Sequence, residues 1–580
     1  MPRPAVALLV IAIGVALLTA IRPVWTIDPD AGLYVGLGRS LASGTGYALD
    51  GIPHTKYPPG LPLLLSGLIR LGGPEAYGLF HAALAVALLA AVVLAHQVAR
   101  QLGCPPGVAL AVAAATGLSQ TLFDLSVRYV RTEPLFLALS LGALLALWRS
   151  QKPGAGWGSA LLAAALVIAA TLTRLAGVTL LVVPALALIR RGSDARLRAR
   201  AALILLAGAA VVLAWQQRAA DVARTHPGAP DYGAEFFAAE PRDLTKTVRL
   251  DMPALDGPAL ARRVAGNLDV MARAMAVLLS NVDRAGARLP VGVLALALVL
   301  TGLGVLSLRR GASPERQEAC AYVAATLVLY LLWPFNQQER FYVPLLPLLL
   351  IAAGAGVLAL LDAARLAWQR PGARGLLLGG SVLLLLVLAL QRSDHPDVLG
   401  LWSYGYAALL LAGVLLWLLA LRLPRLPEAR PAAAIACAAL LAVPFLYLRC
   451  LAWPDTVAAF EARRAADPQA GALARVDVDP RLQDVAIFLR DHTPPDTVLM
   501  TDVPSILAPL SGRRCIPFVY RVAPPEVATD GADLVFYTRE LPDAAAVMDA
   551  CAPRLEPALR LGPLDIGGQV VTPIVYRVPR

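Results

Sequence analysis

The chemistry-bearing residues of this chain gather just after its first apolar segment. Asp28-Pro29-Asp30 opens a stretch that runs through Tyr34, Arg39 and Tyr47 to His54, Lys56, Tyr57, Pro58, Pro59 and Gly60. Carboxylates able to hold a proton and cations able to hold an anion thus fall where a bilayer surface meets water. Later groups of the same kind flank the ends of other apolar segments: Asp124, Arg128, Arg131 and Glu133; Arg174; and Glu339 with Arg340.

The elements that position them are legible locally. Pro29 suits a first helical turn, and Asp28 before it can accept from orphan amides as an N-cap. Leu33, Leu37 and Leu41 then fall on one stripe, which predicts a short amphipathic helix along the bilayer, ended near Gly44 and Gly46. For Asp28 the alternative to chemistry is capping, and for Asp30 it is dipole complementarity at the same helix start.

Composition sets the frame. Of 580 residues, 58% are hydrophobic and only 16% charged, and mean hydropathy is +0.64, which describes a polytopic α-helical membrane protein. Runs long enough to span fall near 5–24, 76–98, 106–123, 133–149, 157–172, 174–190, 201–217, 289–308, 319–334, 342–361, 375–390, 401–421 and 432–452, about thirteen helices. The net charge of +11 reports orientation: threaded with the start inside, the inner loops carry Arg100, Arg149 and Lys152, Arg190 to Arg200, Arg309 to Arg316, Arg365 to Arg374, and Arg422 to Arg430. No basic patch with interleaved aromatics favours nucleic acid. No small-residue cleavage site follows residues 4–21, so a cleaved signal peptide is not expected.

The same threading places the first loop (25–75), the Asp124–Glu133 segment, Arg174, the Asn336-Gln337-Gln338-Glu339-Arg340 turn and a long insertion (218–288) on the outer side. The insertion, with Leu260 to Asn281 helical, reads as a partly ordered lid. Residues 1–453 form the transmembrane part. From 454 the pattern changes to helices over Leu482–Arg490 and Ser505–Leu510 and strands over Val498–Thr501, Ile516–Tyr520, Leu534–Tyr537 and Val570–Tyr576, a small extracytoplasmic α/β domain to 580. No Cys/His cluster suggests zinc, and Cys515 with Cys551 are either one disulfide or two thiols.

Asp30 four residues before Tyr34, the run Arg39-Ser40-Leu41-Ala42-Ser43-Gly44-Thr45-Gly46-Tyr47, and Lys56-Tyr57-Pro58-Pro59-Gly60 with its following leucines resemble the first outer loop of GT-C membrane glycosyltransferases. The branch resembled is that of protein O-mannosyltransferases and aminoarabinose transferases, which use polyprenyl-phosphate sugars. The resemblance implies that Asp30 is the catalytic base and Glu133 the second acidic position, binding a metal or placing the acceptor; Glu133 before Pro134 also simply starts a helix. It implies that Lys56 meets donor phosphate, although Tyr57 stands between Lys56 and the Pro-Pro pair; a snorkelling lysine is the alternative. Arg340 and Arg174 become phosphate-binding candidates through guanidinium forks, or partners of an acid such as Glu339. Tyr34, Tyr57, His54 and Arg131 complete the substrate-binding candidates.

The implied function is an inverting glycosyltransferase in a bacterial-type plasma (inner) membrane. It moves a sugar from a polyprenyl-phosphate donor to a glycan, lipid or protein hydroxyl on the outer side. No cofactor follows with certainty: Asp30 with Glu133 is too few ligands to argue a metal, and a divalent cation, Mg²⁺ or Mn²⁺, is left open by the sequence. The rival is a transporter or lipid flippase, but the span centres are almost free of the ionisable groups such proteins carry.

Overall fold

The computed structural model describes residues 3–280 and 313–368, each with short breaks, positions 302 and 305 between them, and 476–579 with short breaks. The expected spans 375–390, 401–421 and 432–452 and nearly all of 289–308 lie outside the described residues, as do Asn336, Gln337 and Gln338.

The helices of the first half are α1 (Arg3–Ala20), α2 (Pro29–Ser43), α3 (Gly60–Gly72), α4 (Tyr77–Gln101), α5 (Pro106–Gly117), α6 (Gln120–Val127), α7 (Glu133–Ser150), α8 (Trp157–Thr173), α9 (Val182–Ile189) and α10 (Ala195–Thr225). The long loop adds α11 (Tyr232–Phe236) and α12 (Gly257–Ser280), followed by α13 (Pro314–Leu332) and α14 (Leu346–Trp368). Among the described residues α4, α7 and α10 are long and apolar enough to cross a bilayer, and α5 with α6 makes a fourth such span, bent by 47°.

That bend corrects the straight span expected over 106–123. Ser119 starts a new helix there, its hydroxyl accepting from the Leu122 amide. The span expected over 174–190 is likewise divided, into a 3₁₀ segment (Leu175–Leu181) and α9. The helix expected over 201–217 is longer at both ends, starting from an Asp194 N-cap.

The membrane core is built from small and branched residues on facing helices, with Leu88, Val92, Leu137, Leu144, Val167 and Leu180 buried in one apolar cluster. Small residues such as Ala91, Ala95, Ala143 and Ala163 let backbones approach where no hydrophobic drive separates helix from lipid.

Short strands cap this bundle: β1 (Trp25–Thr26), β2 (Ala48–Leu49), β3 (Ile52–Pro53), β4 (Thr247–Arg249) and β5 (Val476–Asp477). Beyond them run α15 (Pro480–His492), β6 (Val498–Thr501), α16 (Pro504–Ser511), β7 (Arg514–Arg521), β8 (Glu526–Val527), β9 (Leu534–Phe536), α17 (Pro542–Cys551), β10 (Glu556–Arg560), β11 (Leu564–Ile566), β12 (Gln569–Val571) and β13 (Ile574–Arg577). The main sheet has the order β10-β13-β9-β6-β7-β4, with β8 beside β7. The pairs β4/β7, β7/β6 and β6/β9 are parallel, whereas β9/β13 and β13/β10 are antiparallel. The single strand expected over Val570–Tyr576 is two, β12 pairing with β11 and β13 joining the main sheet. Cys515 and Cys551 are free thiols.

The sheet is not separated from the first loop. The strand β1 pairs in parallel with β5, and β4 from the long loop extends the sheet at β7. Ala31, Leu33, Tyr34 and Val35 of α2 share one apolar cluster with Val485, Leu489, Ile506, Leu507 and Phe536. Gly32 makes this contact possible, because a Cβ there would lie 2.0 Å from the Ser505 carbonyl oxygen.

Candidate functional site

Helix α2 carries the central carboxylates and is fixed at both ends by its own sequence. Asp28 caps it, accepting from the Ala31 amide at 2.9 Å, and Gly44 ends it in the left-handed conformation (φ 80°) that glycine adopts without steric cost. Leu33 and Leu37 of the expected stripe are buried and Leu41 half-buried, but burial extends round the helix to Ala31, Gly32, Val35 and Gly38. The helix is therefore packed between α3 and the C-terminal sheet region rather than lying with one face free.

Asp30 faces a cavity of about 340 Å³ lined by residues from segments far apart in sequence: Tyr34, Lys56 and Tyr57 from the first loop, Arg131, Arg174, Lys246, and Tyr330, Trp333, Arg340 and Phe341. One Asp30 oxygen accepts from the Tyr57 hydroxyl at 2.9 Å. The other pairs with Arg340 at 2.7 Å and with Arg131. Arg131 also holds Asp28 through both ends of its fork, at 2.9 and 2.7 Å, so one guanidinium bridges the two acids.

Burial alone would raise the Asp30 carboxyl, but Arg131, the Tyr57 hydroxyl and Lys56 outweigh it and hold the group below its usual range. Burial, and then the Asp30 charge, push the Tyr34 hydroxyl up, so it stays a neutral phenol. Burial weakens the charged form of Arg131, yet Asp28 and Asp30 hold its proton more firmly than in water.

The remaining candidates divide by position. Arg174 lines the cavity at the turn after α8, its Nη1 donating to both the Thr132 hydroxyl at 2.9 Å and Glu133 at 2.7 Å. Its guanidinium and that of Arg340 both lie over the Phe341 ring, 4.6 and 4.9 Å from the centroid. Glu133 is 1% exposed and does not line the cavity; it stands behind Arg174, with its second oxygen buried and unbonded among the described residues. Lys56 is 1% exposed, not a snorkelling chain, and pairs with Glu235 at 2.8 Å.

His54 also lies off the cavity wall. It is buried, accepts from the Tyr57 amide at 3.0 Å through Nε2 and stacks on the Tyr57 ring at 5.6 Å. Its neighbour Tyr47 donates to the Tyr57 carbonyl at 2.8 Å, so both rings hold Tyr57 against Asp30. The acid partner expected for Arg340 is Asp30 rather than Glu339.

Sequence reasoning did not single out Lys246, Glu235, Tyr330 or Trp333. The first two sit in the long loop, where mixed charge carries no period. The aromatic pair ends α13, whose last carbonyls, of Tyr330, Leu331 and Trp333, all accept from the Asn267 amide of α12. A single asparagine thereby satisfies the orphan groups of a helix end and fixes the rings beside the cavity.

No group of three or more His, Cys, Asp or Glu side chains placed to hold a metal occurs among the described residues. The two acids expected for such a role already face guanidinium groups. What the walls offer is a carboxylate beside Lys56, Arg131, Arg174, Lys246 and Arg340, a setting for an anion next to a proton acceptor.

No protein-family model matches the sequence, and no curated protein does. Solved structures do match. ArnT from Cupriavidus metallidurans bound to undecaprenyl phosphate is 15% identical, with TM-score 0.50 over 99% of this chain and 98% of that one. The Archaeoglobus fulgidus oligosaccharyltransferase, tethered to an acceptor peptide containing the NVT sequon, is 11% identical, with TM-score 0.51 over 98% of this chain and 74% of that one. At such identities the likeness is one of fold, and it agrees with the polytopic helical membrane protein expected from composition and the apolar runs.

Proposed function

We propose that this chain, which shares its fold with those two transferases, is an inverting glycosyltransferase that takes a sugar from a polyprenyl-phosphate donor. The observation that carries the reading is Asp30 in the wall of a cation-ringed cavity, with Arg131, Arg340 and the Tyr57 hydroxyl on its two oxygens. An acceptor hydroxyl attacks the sugar's anomeric carbon as the bond from that carbon to the phosphate oxygen breaks. The proton passes to Asp30, and the electron pair leaves with the polyprenyl phosphate, whose charge the cations hold. Direct displacement inverts the anomeric centre.

Asp30, with its pKa held low, is fully ionised at neutral pH and takes its proton only as the attacking oxygen becomes acidic. Lys56, Arg174, Lys246 and Arg340 form the phosphate side of the site; Tyr34, Tyr57, Tyr330 and Trp333 offer faces and hydroxyls to the sugar. Arg131 and Glu133 act through others, Arg131 by spacing the two aspartates and Glu133 by aiming Arg174. No step is routed through a divalent cation, since each carboxylate already has a cationic partner.

The full architecture in this reading has about thirteen spans, residues 1–453 as the membrane part, and residues 454–580 as an α/β unit on the outer face of a bacterial-type inner membrane. The first loop, the 218–288 loop and the C-terminal unit then meet on one side, as the pairings of β1 with β5 and β4 with β7 favour. The acceptor is a glycan, lipid or protein hydroxyl reaching the cavity from that side.

Asp30→Asn keeps size and most hydrogen bonding but cannot take a proton. Transfer from a polyprenyl-phosphate donor should fall by at least about 10²-fold in a purified protein that still melts cooperatively, as Asp28→Asn also does. Near-normal transfer by Asp30→Asn would remove it as base, and loss in Asp28→Asn alone would move the role two residues upstream.

A further inference from the structure

Lys56 stands apart from the guanidinium groups that share its cavity. Arg131 and Arg174 hold acids that belong to the frame, Asp28 and Asp30 on α2 and Glu133 at the start of α7. The acid on Lys56 comes from elsewhere: Glu235, on the five-residue helix α11, pairs with Nζ at 2.8 Å, and the two side chains are 1% and 0% exposed. The segment carrying Glu235 is anchored within the long loop itself, by Arg263 of α12, which donates to the carbonyls of Phe236, at 2.7 Å, and Ala238, and by an antiparallel bridge between Ala238 and Ala254, while the adjoining Phe237 is 68% exposed.

A buried ammonium without a counter-charge is costly, so an empty cavity needs an acid on Lys56. A phosphate entering the same cavity offers the same chemistry as that acid, oxygen atoms bearing negative charge, and with more of it. We propose that Glu235 is the resident counter-ion of Lys56 and that the phosphate of a lipid-linked substrate takes its place on the ammonium. Glu235 is thus a positioning residue whose carboxylate competes with substrate. This keeps Lys56 charged and folded between turnovers, lowers the apparent affinity for the lipid phosphate and so helps the product leave. The inference rests on the functional reading above.

The test is binding of undecaprenyl phosphate to the purified full chain in detergent, with undecaprenol as the phosphate-free control. Glu235→Gln is expected to bind undecaprenyl phosphate more tightly, on the order of tenfold, because the competing charge is gone. The gain should vanish with undecaprenol and in a Lys56→Met background. Glu235→Asp keeps the charge but draws it back by one methylene; it should fall between wild type and Glu235→Gln, and replaces the latter if that variant does not fold. Equal or weaker binding in whichever variant folds, with wild type binding normally, would overturn the exchange and leave Glu235 as a structural clasp. Absence of phosphate-dependent binding by wild type would instead sink the functional reading, and the inference with it.

Discussion

The most exacting residue is Asp30, because its environment makes a stability statement as well as a catalytic one. Its carboxyl is depressed in the fold, so the stability it contributes is present above the unfolded value near 3.9 and is lost only as pH falls through the lower, folded value. The stability deficit of Asp30→Asn measured by thermal melting at pH 7 should therefore persist undiminished to about pH 5. A deficit already half gone there would mean that Arg131, Tyr57 and Lys56 do not hold the group as described. Glu133 makes a different demand. With Arg174 at 2.7 Å as its ion-pair partner, removal of either side chain should cost roughly 3–5 kcal/mol, since the other charge stays buried. The double variant Glu133→Ala/Arg174→Ala should recover part of that stability but none of the lost turnover. Recovery of turnover in the double variant would show that Arg174 holds no phosphate.

At the scale of elements, the site depends on how α2 is seated. The Gly32 backbone lies so close to Ser505 that Gly32→Ala would force α16 and α2 apart, carrying Asp28 and Asp30 away from Arg131. Sugar transfer should fall at least about tenfold, as a displacement near 1 Å costs that much or more. Normal transfer by Gly32→Ala, with the protein folded, would show that the sheet does not position the catalytic helix. This contact was not legible in the sequence, because an N-cap, Pro29 and a leucine stripe report helix formation but not what covers the opposite face. The cap at Asp28 and the end at Gly44 were legible, since local hydrogen bonding decides both. The break between α5 and α6 was not, because hydropathy is continuous across Ser119 and only its capping bond marks the bend. Lys246 and Glu235 had no local signal either; they reach the cavity through a loop whose course is set by the pairing of β4 with β7.

For the whole molecule, the central claim is that phosphate-binding cations from four separate outer segments surround one proton acceptor at the edge of a membrane bundle. Asp30, Lys56, Arg174 and Arg340 were expected there from motif and position, and all line one cavity. Glu133 and His54, chosen on the same grounds, lie one layer back, because sequence order places a residue near a site without saying which way its side chain turns. The most direct measurement uses the purified full chain in liposomes, supplied with an undecaprenyl-phosphate-linked sugar and, separately, with the same sugar as a nucleotide conjugate. The account predicts acceptor-dependent release of free undecaprenyl phosphate with an inverted sugar linkage in the product, from the lipid-linked donor alone. Transfer from the nucleotide conjugate, or movement of the intact lipid-linked sugar across the bilayer with no cleavage of its phosphate bond, would contradict it.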